Sequence, residues 1–67
     1  LVADYGDRLT DARQQAGLQT DELAAAVGAD ESDVLAVEQG RATQAGVGGS
    51  LIDALERELE IELADSS

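Results

Sequence analysis

The apolar positions of the chain form four short stripes at helical spacing. Tyr5, Leu9, Ala12 and Ala16 recur at intervals of four, three and four, one face of a helix over DYGDRLTDARQQAG. Val2 extends that stripe. Gly17 stands where a helix end takes its left-handed residue, and Leu18 follows to close a Schellman contact. In LQTDELAAAVG, Leu23, Ala24 and Val27 make a second face. Gln19 or Thr20 begins this helix. Thr20 is the better chemical cap, and Asp21 and Glu22 suit the positive end of the helix dipole. Gly28 ends it. In ADESDVLAVEQG, Asp30 is placed to cap, with Asp33 at the third helical position of a capping box. Val34 and Val37 face inward, Leu35 and Ala36 lie off that face, and Gly40 closes the helix.

RATQAGVGG has no period and several glycines, so it reads as a loop. Ser50 then caps a C-terminal helix over residues 50–61, with Asp53 at its third position and Leu51, Ile52, Leu55 and Leu59 on a broad apolar face. Ile61 and Leu63 alternate with acids, which fits either an extended arm or the frayed end of that helix. Neither repeats nor a linker divide the chain. The expectation is one domain over residues 1–67, all-α, a compact bundle of four to five short helices. The chain opens without Met and in mid-pattern, as a piece of a longer protein would.

The second and third stripes lie only a few residues apart, around Gly28. Ala24 lets the next helix approach closely, Gly28 permits the turn, and Val34 and Val37 fill the angle. That is the pattern of a helix-turn-helix over residues 19–40, in which the second helix can enter a major groove.

The run RLTDARQQAGLQTDELAAAVGADESDVLAVEQG resembles the Cro and phage-repressor class of helix-turn-helix domains. The residues that carry the resemblance are Arg8-Leu9, Ala12-Arg13, Gly17-Leu18, Glu22-Leu23-Ala24, Gly28 and Val37-Glu38-Gln39-Gly40. LVADYGDRL at the start and LERELEIEL near the end are similar to the archaeal multiprotein bridging factor group, a transcriptional coregulator linked also to the translation machinery. Archaeal members of that group carry a zinc ribbon upstream. The resemblance implies a lambda-repressor-like fold and duplex DNA as partner. It places Gln19, Thr20, Glu31, Ser32, Leu35, Ala36, Gln39 and Arg41 at the DNA.

Composition complicates that picture. Fifteen acids oppose four bases for a formal net charge of −11. All the bases are arginine: Arg8, Arg13, Arg41 and Arg57. Base reading favours Arg or Lys on guanine and Asn or Gln on adenine. The second motif helix instead opens with Asp30, Glu31, Ser32 and Asp33. Attraction to phosphates supplies most non-specific DNA affinity, and these carboxylates oppose it. Arg41 is the best phosphate ligand, while Glu38 is expected to pair with Arg8 or Arg13. Two functions remain open: a DNA-binding or coregulator domain, and a protein-interaction module on the same scaffold. The second would take a basal transcription factor, another basic protein, or a second copy through Ile61 and Leu63.

Other classes find no support in the sequence. The chain has no Cys or Met and no His. Thiolate and imidazole metal sites and the usual nucleophile–base pairs are therefore missing, so neither an enzyme nor a metal or cofactor site is expected. GVGG precedes no P-loop lysine. No apolar run approaches the ~18 residues of a membrane span, and no signal peptide opens the chain. The lack of Cys fits a reducing cytoplasm.

Many acids, no lysine, and abundant Ala, Gly and Val match a protein of a salt-rich cell. Screening shortens the Debye length from about 10 Å at 0.1 M salt to about 3 Å at 1 M. Self-repulsion should therefore fall, and the thermal midpoint should rise from 0.1 to 2 M KCl. Relief of only 1 kcal/mol would shift it by about 4–8 °C. Melting followed by circular dichroism checks this, and a flat response overturns the halophilic reading.

Overall fold

The computed structural model describes residues 3–63. Val2, placed on the first stripe by its spacing, lies outside them. Four helices follow one another: α1 (Tyr5–Gln15), α2 (Thr20–Val27), α3 (Glu31–Glu38) and α4 (Gly49–Leu59). No strand occurs among the described residues.

The core is aliphatic. Leu9 comes from α1, Leu23 and Ala24 from α2, Val34 and Val37 from α3, and Ile52 and Leu55 from α4. Ala42 and Leu63 complete it from outside the helices. Tyr5, Leu18, Val27, Val47, Leu51, Leu59 and Ile61 pack around its edge. The first stripe is buried at Leu9 and half-buried at Tyr5 and Ala12. Ala16, expected on the same face, is exposed where α1 has ended.

The corner between α2 and α3 forms as its residues require. Ala24 is 3% exposed, and Val34 and Val37 are fully buried. Gly28 adopts φ +69°, a left-handed conformation that costs a residue with a β-carbon about 1–2 kcal/mol. The Ala29 amide donates to the Ala24 carbonyl at 2.8 Å, closing α2 in a Schellman turn.

Helix starts depart from expectation. Gln19, not Thr20, is the N-cap of α2, and its backbone N–H donates to the Glu22 carboxylate at 2.9 Å. Asp30 does precede α3, but its side chain makes no capping bond; its carbonyl accepts the Asp33 amide at 3.0 Å. Ser50 does not cap α4. Gly48 does, its carbonyl accepting the Leu51 amide at 3.2 Å, so the helix begins ahead of the serine. Asp53 then pairs with Arg57 one turn on, at 3.2 Å, instead of serving the cap.

The glycine-rich stretch is not wholly irregular. The Ala45 amide donates to the Arg41 carbonyl at 2.9 Å, giving one isolated helical turn, which Val47 closes by donating to Ala42 at 2.9 Å. The Tyr5 hydroxyl accepts the Ala42 amide at 3.4 Å and ties this turn to α1. The tail resolves in favour of a folded-back arm. Helix α4 stops at Leu59, and Leu63 returns fully buried to the core.

Gly6 sets how closely α1 meets α3. A β-carbon there would stand 2.5 Å from the Glu38 carbonyl oxygen and 3.0 Å from that of Val37. Both obstacles are backbone. Gly6→Ala should therefore destabilise the domain by about 1–3 kcal/mol through overpacking, against the roughly 1 kcal/mol that helix propensity alone would return. Urea unfolding measures the sign. A stabilised variant would refute the close approach.

Candidate nucleic-acid interface

The outward face of α3 is built from what the core leaves over. Val34, Ala36 and Val37 are buried, so Glu31, Ser32 and Leu35 face solvent, Asp33 is half-buried, and Gln39 and Arg41 follow exposed beyond the helix. Leu35 is 37% exposed and is the large apolar side chain of this face. At the start of α2, Gln19 is exposed and Thr20 half-buried.

Ala36 does not belong to that face. It is 5% exposed, although its position off the Val34–Val37 line placed it outward and at the DNA. The reason is the turn that follows α3. The Arg41 amide donates to the Ala36 carbonyl at 2.7 Å, and the chain folds back so that Ala36 lines a shallow depression with Ser32, Asp33, Arg41, Gln44 and Ala45. A single-helix projection cannot register a covering element that comes later in the chain.

The electrostatics of this surface are set by how the arginines are spent. Arg8 pairs with Asp4 at 3.5 Å, and Arg57 with Asp53, both between exposed side chains one helical turn apart. Such pairs contribute about 0–1 kcal/mol. Arg13 pairs with Glu38 at 3.1 Å, with only 15% and 7% of the two side chains exposed. Of the two partners the sequence offers Glu38, the structure selects Arg13. Arg41 has no carboxylate partner among the described residues; its guanidinium donates to the side-chain oxygen of Gln39. The surface around α3 therefore sets Asp30, Glu31 and Asp33 against one uncompensated guanidinium.

Glu38 is also the joint between α1 and the end of α3. Its Oε1 lies 3.1 Å from Arg13 Nε and 3.0 Å from the Thr10 hydroxyl. That hydroxyl also stands 2.9 Å from the Gly6 carbonyl, so its single proton serves one acceptor at a time. Arg13 Nη1 donates to the Leu18 carbonyl at 2.8 Å, linking the same cluster to the α1–α2 turn. Sequence reasoning missed Thr10 and Gly6. Their role depends on backbone far along the chain, and the only signal was a glycine inside a helical stripe.

No group of three or more acids capable of holding a metal is present among the described residues. No helix there is long and apolar enough to cross a membrane.

Two short helices around a left-handed glycine, the second with one buried and one open face, define a helix-turn-helix. The chain belongs to the family of transcription regulator-like HTH domains, which it matches over residues 1–66. No curated protein and no solved structure matches it.

The Arg13–Glu38 tie has a measurable cost of removal. Glu38→Ala leaves a largely buried guanidinium with one carbonyl partner and should cost about 3–5 kcal/mol, the usual result of breaking a buried pair from one side. Replacing both, as Arg13→Met with Glu38→Leu, should recover much of that loss. Urea midpoints in molar KCl compare the variants. Losses for Arg13→Met and Glu38→Leu that simply add in the double variant would show that the pair is not coupled.

Proposed function

We propose that this is a Cro and phage-repressor-type domain of a transcription regulator, close to the archaeal multiprotein bridging factor group. In this reading it acts as a coregulator, presenting the open face of α3 to a basic protein of the transcription apparatus rather than reading bases. The observation that carries this is the face itself: Glu31, Ser32 and Leu35 exposed, with Asp33 beside them and no lysine or arginine on the helix. A carboxylate 4 Å from a phosphate costs about 1 kcal/mol in water and about 4 at an effective dielectric of 20. Salt screens that repulsion, but it equally weakens the counterion release that drives proteins onto DNA. An exposed leucine one turn from the exposed Glu31 suits a cationic partner with an apolar side chain. The domain supplies binding rather than catalysis, in keeping with its family, and a cytoplasmic setting follows from the same reading.

A second reading, direct contact with duplex DNA, is favoured by Arg41. This guanidinium is uncommitted to any carboxylate among the described residues and sits beside Ser32 and Gln44 at the end of α3. Gln19, Thr20 and Gln39 would then meet phosphates as neutral donors.

Anisotropy titration of a labelled duplex at 0.1 and 2 M KCl separates the two. The coregulator reading expects no saturation at either salt in the range of about 10⁻⁴–10⁻⁶ M where non-specific binders saturate. Binding that falls steeply with salt would establish direct contact and remove it. Glu31→Lys with Asp33→Lys should create salt-sensitive DNA affinity. If it does not, α3 is not the face that meets a duplex.

A further inference from the structure

The end of α4 is built differently from the other turns that stop a helix in this chain. Schellman-type closures, in which an amide donates to a carbonyl five residues back, occur at Leu18, Ala29, Arg41 and Val47, and glycine precedes each donor at positive φ. The fifth closure, Ile61 to Glu56 at 3.0 Å, has Glu60 in that place, at φ 55° and ψ 45°. Glu60 is the one non-glycine residue at positive φ among those described. A side chain there disfavours the conformation by roughly tenfold in population.

What holds the strained turn is also visible. Glu56 accepts at both of its ends, the backbone carbonyl from Ile61 and the carboxylate from the Leu63 amide at 2.7 Å. Leu63 beyond it is 0% exposed and belongs to the core. The amides of Glu60, Ile61 and Leu63, all donating to Glu56, and the packing of Ile61 and Leu63 oppose the strain.

The same residues have a second arrangement. Ile52, Leu55, Leu59 and Leu63 are spaced three, four and four apart, which is a helical stripe. Continuing α4 through residue 63 returns Glu60 to right-handed backbone and keeps these side chains on one line. It also withdraws Leu63 from the core and leaves the Ile61 and Leu63 amides in a fraying, solvent-exposed last turn, where they exchange.

We propose that residues 60–63 are a strained latch with two arrangements, one folded back and one continuing α4 by a turn. The latch opens while the rest of the domain stays folded. Opening leaves a leucine-sized apolar vacancy at that end of the core. Local openings of this kind draw on elements with few buried groups, and of residues 60–63 Leu63 alone is fully buried.

Native-state hydrogen exchange in molar KCl tests this on the whole chain, comparing the Ile61 and Leu63 amides with those of Val37 and Leu55. The latch amides should exchange at least tenfold faster and ignore sub-denaturing urea, while the core amides respond to it. Glu60→Gly removes the strain and also disfavours the continued helix. It should slow Ile61 and Leu63 by roughly tenfold. Glu60→Ala keeps the strain and favours the helix, so exchange should hold or quicken. Neither substitution removes a core side chain, so both variants should fold. The proposal fails if Ile61 and Leu63 exchange with the rate and urea dependence of Leu55. It fails equally if the glycine and alanine variants shift exchange alike.

Discussion

The approach of α1 to the C-terminal end of α3 is the constraint on which the rest depends. At Gly6 there is no room for a β-carbon between the helix and the last carbonyls of α3. One turn further along α1, Thr10 and then Arg13 meet the Glu38 side chain, which leaves that same end of α3. At the other side of Gly6, Tyr5 reaches the turn beyond it. Four positions on one helix thus fix the pose of α3, and its solvent face is what remains. The HTH corner supplies the second wall, through Ala24, Val34 and Val37.

Charge enters as a load on this frame rather than as its support. The exposed pairs of Arg8 and Arg57 neutralise near neighbours and hold little together. The largely buried Arg13–Glu38 contact joins two helices, and the desolvation of a buried pair offsets much of its attraction. With a core of small aliphatic side chains and a net charge of −11, the domain has little reserve against repulsion in dilute buffer. A helix-turn-helix scaffold and a strongly negative net charge therefore coexist. They can do so because packing selects buried positions, while the open face of α3 is free of that selection.

Most of the element order was legible because glycine punctuates it. Gly17, Gly28 and Gly40 each follow a helix end where the pattern placed one. The exposed positions Glu31, Ser32, Leu35, Gln39 and Arg41 were legible too, since each follows from the Val34–Val37 line or lies beyond the helix. Ala36 was not, because the turn that covers it is irregular and invisible to a periodicity argument. Caps were misplaced at Thr20 and Ser50 because side-chain chemistry suggests a cap while the path of the preceding loop decides it. Leu63 was ambiguous for a simpler reason: it lies two residues after Ile61 and four after Leu59, so strand and helix periods both claim it. Which macromolecule α3 meets was not legible, as surface charge constrains a partner without naming it.

The lone aromatic ring has a practical meaning that its neighbours do not share. Tyr5 bridges α1 and the residue-42 backbone, and the chain holds no tryptophan or phenylalanine. All intrinsic ultraviolet emission of the domain therefore originates at a single joint, just behind the end of α3. The protein carries its own optical gauge of whether that joint is seated, and no dye or label need be added to watch it.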